Sequence, residues 1–205
     1  MDKREKLFIF DIGGVFVKLD PASRDLAISR GGSARSASRY AEAPEALFRA
    51  FRLGHSAEAD YVRALSDVFD VPQESVYEAE HAYVAEGFSG FIDFVRRLRQ
   101  SYRVVCLSNN QAIHWRYISE NILGEGFFDH AYLSQDMGLE KPDEMIFRHV
   151  FEAERCDEKE VFFIDDIEEN VIAARQVGWQ HCMVHRDPVE TANALSALAG
   201  DLAAN

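Results

Sequence analysis

Four short apolar runs, Leu7 to Phe10, Val104 to Leu107, Val161 to Ile164 and Cys182 to Val184, constrain this chain more than any other feature. None alternates apolar with polar residues, so each reads as a strand buried on both faces rather than one half-exposed to water. Ala131 to Leu133 is a candidate fifth. Between the runs, apolar residues recur at helical spacing: Phe91, Ile92, Val95 and Leu98 lie before Val104, and Met145, Ile146, His149, Val150 and Ala153 lie before Val161. Alternating strand and helix predicts an α/β fold, a doubly wound, mainly parallel sheet whose ligands bind beyond the carboxyl ends of its strands. An Ala-rich tail with Leu195, Leu198 and Leu202 predicts a terminal helix on that core.

Roughly 70 residues separate the first strand from the helix that starts near Phe88, several times the length of an ordinary crossover. Such a stretch must hold structure of its own. Pro44 before Leu47, Phe48 and Phe51, Ser56 before Tyr61, Val62, Leu65, Val68 and Phe69, and Pro72 before Val76, Tyr77, Tyr83 and Val84 predict three amphipathic helices. Residues 20–87 are therefore read as an inserted helical cap, and residues 1–19 with 88–205 as the core. A chain of 205 residues, 47% of them hydrophobic, is long enough to bury both. Asp20 and Pro21 read as an N-cap and first helical position. Ser29 to Arg39 holds only Ser, Arg, Gly and Ala and predicts a mobile loop; Arg24, Arg30, Arg35 and Arg39 are read as solvated, the alternative being a cationic lid over an anionic substrate.

With 22 Lys and Arg against 35 Asp and Glu, the net charge of −13 repels nucleic acid and anionic membrane surfaces at long range. The apolar stretch after Lys6 ends at Asp11, too soon for a signal peptide, and no uncharged apolar run reaches the ~18 residues of a membrane span. Cys106, Cys156 and Cys182 are odd in number and lack CxxC spacing, which fits reduced thiols. The expectation is a soluble, cytoplasmic protein with no nucleic-acid or membrane partner, either monomer or homodimer. No histidine pair forms a metal-ligand pattern, since His181 and His185 flank a strand, and Arg96, Arg97 and Arg99 form the solvent side of a helix.

Chemistry-bearing residues gather at strand ends. In FIFDIGGV, Asp11 follows the first strand and precedes Gly13 and Gly14, which admit backbone angles and close approaches that other residues do not. In VVCLSNN, Ser108 to Asn110 follow the second strand and open a helix near Gln111. In GLEKPDEMIF, Lys141 stands before Pro142. In FFIDDIEEN, Asp165 and Asp166 leave a strand together, with Asn170 following. An ordinary turn, an N-cap, a surface lysine and an acidic helix start account for these one at a time. Taken together, the acids converge on one sheet edge, where they repel and raise one another's pKa unless a cation intervenes, and hard oxygen ligands imply Mg²⁺. Carboxylate, hydroxyl, lysine and acidic pair make a coherent set for phosphoryl transfer.

In this order, across nearly the whole chain and with the helical insertion after the first, the four motifs resemble the haloacid dehalogenase superfamily of hydrolases with a first-type (C1) helical cap. Within it, DIGGV and YLSQDMGLEKPDEMIF are similar to the bacterial α-D-glucose-1-phosphate phosphatases. The resemblance implies a Rossmann-like core and a Mg²⁺-dependent phosphatase of a small phosphorylated metabolite. Asp11 would attack phosphorus in line and become a phosphoaspartate, while Ser108, Asn109 and Lys141 would hold the phosphoryl group. Asp11, the carbonyl of Gly13 and Asp166 would ligate Mg²⁺, with Asp165 a ligand directly or through water; Lys141 would offset the carboxylates and Asn170 would orient a neighbour.

One position departs from the family's pattern, which carries a second aspartate, the general acid and base, two residues after the nucleophile; here that residue is Gly13. General-acid help is worth about 10² to 10⁴ in rate. An anomeric oxygen leaves more readily than an ordinary alkoxide, so the expected substrate is a phosphosugar such as a sugar 1-phosphate. Two readings stand beside this one: a metal-independent 2-haloacid dehalogenase whose Asp11 forms an ester with carbon, and a non-catalytic protein that binds a phosphorylated metabolite. Asp165 and Asp166, which without a cation would repel both nucleophile and carboxylate substrate, weigh against the first; the retained Asp11 and Lys141 weigh against the second.

Overall fold

The computed structural model describes residues 4–32, 43–155 and 160–199, so Cys156, Arg35, Arg39 and Leu202 lie outside the described residues. Five strands, β1 (Arg4–Phe10), β4 (Tyr102–Ser108), β5 (His130–Leu133), β6 (Val161–Asp165) and β7 (His181–Val184), form one parallel sheet in the order β5-β4-β1-β6-β7. All four apolar runs and the candidate fifth are its strands. They read as continuous because successive side chains enter two different cores. Phe8, Phe10, Val104, Cys106, Phe162 and Ile164 pack on one face, and Leu7, Ile9, Val105, Leu107, Val161 and Phe163 on the other.

Helices cover both faces. On the first lie α5 (Ser89–Ser101), with Phe91, Ile92, Val95 and Leu98 inward, and α10 (Pro188–Ala199), which buries Leu195 but leaves Leu198 exposed. On the second lie α8 (Glu144–Glu154) and α9 (Glu168–Gln176). The phase of α8 differs from the expected one. Ile146, Phe147 and Val150 face the sheet, while Met145 is 58% exposed and His149 and Ala153 lie on the solvent side. The Asp143 side chain accepts from the Met145 amide at 2.9 Å and caps the helix there. Buried Cys106 and Cys182 are free thiols, and burial pushes both up.

Between β1 and α5 the chain forms a short antiparallel pair, β2 (Val17–Leu19) with β3 (Val84–Gly87), and between those two strands the described residues form α1 (Pro21–Gly31), α2 (Glu45–Arg52), α3 (Glu58–Phe69) and α4 (Gln73–Tyr83). The Asp20 amide donates to the Tyr83 carbonyl at 2.8 Å, so the chain enters and leaves the helices at one place. The expected helices correspond to α2, α3 and α4, except that Val84 starts β3 and Val68 is exposed. Asp20 does cap a helix, accepting from Ser23 N at 3.0 Å with Pro21 at its first position. That helix, α1, carries the start of the stretch read as a loop, Ser29 to Gly31, together with Arg24 and Arg30; the rest of that stretch beyond Gly32 lies outside the described residues.

Ile28, Phe51, Tyr61, Val62, Leu65, Phe69 and Val76 make a third core, closed by Ile113 from α6 (Ala112–Ile118), the helix that follows β4. Each such side chain contributes about 1.5–3 kcal/mol on burial. No helix among the described residues is long and apolar enough to cross a membrane.

Candidate active site

Register fixes the site before any side chain is considered. Phe10 pairs with both Cys106 and Ile164, so Asp11, Ser108 and Asp165 emerge within a residue or two of one another at the carboxyl edge. The Asp11 amide donates to the Ile164 carbonyl at 2.9 Å, which continues the ladder one residue past β1. Gly14 then turns the chain at φ +71°, and a Cβ there would stand 2.2 Å from Asp166 Oδ2. Glycine is required for Asp166 to approach the turn after Asp11.

Lys141 lies at the centre, 3% exposed. Its Nζ is 2.6 Å from Asp165 Oδ2, 3.0 Å from Asp11 Oδ1, and donates to the Leu107 carbonyl at 2.7 Å. Burial alone would lower the ammonium pKa, but Asp11 and Asp165 outweigh it and hold the group charged. Asp165 is fully buried and fully engaged: Oδ1 accepts from Ile167 N at 2.8 Å and Asn170 Nδ2 at 3.0 Å, while Oδ2 takes Lys141 and Asn170. Asn170 thus orients a neighbour, as expected.

Asp11 is raised from its ordinary range by burial, against Lys141 and with Asp165, while Ser108 stabilises the carboxylate by a hydrogen bond. Its Oδ1 has the Lys141 ion pair but no hydrogen-bond partner of good geometry. Asp166, half-buried, is pushed up to about 6 by burial, then by Asp11 and Asp165. One carboxylate oxygen from each of the three acids lies within 4.8 Å of the others, a spacing that a single cation can bridge. Hard, anionic oxygens crowded around a buried atom short of donors fit Mg²⁺.

Ser108 is the last residue of β4 and 2% exposed, while Gln111 occupies the N-cap of α6; the capping reading of Ser108 is thereby replaced. Asn109 turns out to clamp the lysine loop, its Oδ1 accepting from Lys141 N and its Nδ2 donating to Lys141 O, both at 2.8 Å. Asp11, Gly13, Ser108, Asn109, Lys141 and Asp166 all line one cavity of 170 Å³.

Residues outside the four motifs line that cavity too, and here sequence reasoning missed some. Tyr83 and His114 line it and continue into a 360 Å³ cleft with Arg24 and Gln111. Arg24, read as solvated, instead stacks on the Tyr83 ring at 4.2 Å. Behind His114 stands Glu80, fully buried, with Oε2 2.7 Å from His114 Nε2 and 3.2 Å from Gln111 Nε2, and with Tyr61 OH donating to Oε1. One signal was available: Val76, Ala79, Glu80 and Tyr83 fall on one helical stripe, and an acid in a buried stripe needs a reason.

A D-ribitol-5-phosphate phosphatase of Bacteroides thetaiotaomicron, and so not a glucose-1-phosphate phosphatase, is 25% identical over 184 residues, 85% of this chain and 89% of that relative. A HAD family enzyme from the same organism, solved in complex with magnesium and inorganic phosphate, superimposes with a TM-score of 0.77 at 26% identity, over 88% of this chain and 94% of that one. The L-2-haloacid dehalogenase of Xanthobacter autotrophicus shares the fold alone, with a TM-score of 0.62 at 18% identity over 98% of this chain and 85% of that one. The family model for haloacid dehalogenase-like hydrolases matches residues 5–178, and this chain belongs to that family.

Proposed function

We propose that the chain is a Mg²⁺-dependent phosphatase of a small phosphorylated metabolite, a sugar or sugar-alcohol phosphate, working through a phosphoaspartate on Asp11. One observation carries the reading: a buried lysine ammonium 3.0 Å from Asp11 and 2.6 Å from Asp165, beside three carboxylates within 4.8 Å of one another. Asp11 supplies the oxygen that attacks phosphorus. Ser108 and Lys141 hold phosphoryl oxygens, and Asn109 fixes the Lys141 backbone. Asp11, the Gly13 carbonyl and Asp166 would hold the metal, with Asp165, both of whose oxygens accept hydrogen bonds, beside them. When bound, Mg²⁺ supplies positive charge that offsets the carboxylates and the transferring phosphoryl group.

Residues 20–87 act as a cap over a core of residues 1–19 and 88–205, since Tyr83 borders the cavity that Asp11 and Lys141 line and, with Arg24, the cleft beside it. The magnesium and phosphate in the solved family member, and the ribitol-5-phosphate phosphatase, support the metal and the substrate class. Buried free thiols support a reducing, cytoplasmic setting.

The test is phosphate release over sugar 1-phosphates, primary sugar and polyol phosphates and nucleotides, with Mg²⁺ or EDTA, for the wild type and Asp11→Asn. Turnover with Mg²⁺ that Asp11→Asn abolishes is the expected result. Activity unchanged in that variant overturns the mechanism, and chloride release from 2-haloacids in EDTA without phosphatase activity overturns the reaction class.

A further inference from the structure

We infer that His114, held by Glu80, is the proton donor to the leaving oxygen and the base toward the hydrolytic water. The inference rests on the phosphatase reading. An alkoxide leaving group needs a proton as its bond to phosphorus breaks. The position two residues after the nucleophile cannot give one: Gly13 has no side chain, and Leu19 Cδ1 stands 3.0 Å from where a Cβ would be.

The titratable side chains that line the cavity with Asp11 are Tyr83, His114, Lys141 and Asp166. Lys141 balances Asp11 and Asp165 and serves the phosphoryl group. Asp166 belongs to the cation cluster. Tyr83 is raised above the ordinary phenol range, chiefly by burial, and is the poorer acid for it. Among the described residues His114 remains, lining both the cavity and the cleft beside it.

Its surroundings are those of an oriented imidazole. Nε2 lies 2.7 Å from Glu80 Oε2, in a buried pair whose carboxylate also takes Tyr61 OH and Gln111 Nε2. Tyr83 flanks the ring at 5.2 Å between centroids, and Gln111 Nε2 sits 3.2 Å from both ring nitrogens. As imidazolium the ring donates from Nε2 to Glu80, leaving the Nδ1 proton for transfer. In the first half-reaction an Asp11 oxygen bonds to phosphorus, the bond from phosphorus to the leaving oxygen breaks, and the Nδ1 proton passes to that oxygen, releasing the alcohol. In the second, neutral Nδ1 takes a proton from water as the water oxygen bonds to phosphorus and the Asp11–phosphorus bond breaks, which restores Asp11 and imidazolium and releases phosphate. Glu80 acts through His114 and is a positioning residue.

The experiment compares kcat/KM for p-nitrophenyl phosphate, phenyl phosphate and ribitol 5-phosphate in the wild type, His114→Gln and Glu80→Gln, with folding checked by circular dichroism. Nitrophenolate leaves without a proton, so kcat/KM of His114→Gln is expected to fall only a few-fold there, while kcat falls for every ester because the same residue serves the hydrolytic water. The loss in kcat/KM should grow along the series to about 10²- to 10⁴-fold for the alkyl ester. Glu80→Gln should show the same trend more weakly, and carries the test alone if His114→Gln does not fold. A uniform loss in kcat/KM on all three esters, or none, overturns the role of His114 while leaving the phosphatase reading intact. No turnover of any ester by the wild type removes that reading and this one with it.

Discussion

Among the described residues two carboxylates are wholly buried, Asp165 in the sheet core and Glu80 among the inserted helices, and they are satisfied in different ways. The partners of Asp165 are Lys141, Asn170 and the Ile167 amide, all from the sheet and its flanking segments. Glu80 draws on both regions: Tyr61 comes from α3, His114 and Gln111 from the α6 end of the core. The first environment is complete within one region; the second exists only where the two regions meet. A charge whose partners are split across a boundary senses whether that boundary is closed, whereas one satisfied locally does not.

The sharpest way to break the contrast is Lys141→Met. Methionine fills the space but leaves the Asp11 and Asp165 carboxylates without their cation in a dry site, and removing one partner of a buried pair costs about 3–5 kcal/mol. Urea unfolding in EDTA should show a loss of that size, and phosphatase activity should vanish. A midpoint near that of the wild type would mean that Lys141 does not balance the carboxylates.

Tyr61→Phe probes the other side. It deletes the hydroxyl that α3 offers Glu80 while keeping the ring, which stacks on Phe51 at 4.2 Å between centroids. Hydrogen bonds to charged groups contribute about 1.5–3 kcal/mol, so the same urea titration should show a smaller drop than Lys141→Met. If Tyr61→Phe equals or exceeds that loss, Glu80 and not Asp165 is the costlier buried charge.

The same division decided what could be read from sequence. Strands of the central sheet were legible because both faces are buried, which leaves unbroken apolar runs such as Val161 to Ile164. The pair β2 and β3 was not, being three and four residues long, with Lys18 and Glu86 exposed among them. In α8 the two stripes, Met145 with His149 and Ile146 with Val150, lie side by side, and composition alone does not choose between them. Asp11, Lys141 and Asp165 could be found because each stands beside a strand end or a proline, where a local signal exists. Glu80 and His114 are 34 residues apart on helices that meet only in the folded chain, and no local pattern joins them.

The smallest effect tests whether contacts across the boundary are individually weak. Glu140, next to Lys141 in the chain, bridges to α2 through Arg49 Nε at 2.7 Å and Arg52 Nε at 2.8 Å. Burial would raise its pKa, but Arg52 and Arg49 together hold it below the ordinary carboxylate range. A folded-state pKa below the unfolded one means stability that is present at neutral pH and lost as pH falls through the ordinary carboxylate range toward the folded value. With the Arg49 side chain 60% exposed, the ion pairs are screened, and Glu140→Gln should cost no more than about 1 kcal/mol at neutral pH. Urea midpoints measured from neutral to acidic pH should converge for the wild type and Glu140→Gln, because protonation abolishes in the wild type what the substitution has removed. A difference that stays constant into acid would locate the contribution in packing rather than charge. Convergence would show that the contact of Glu140 with α2 is held by screened charge alone.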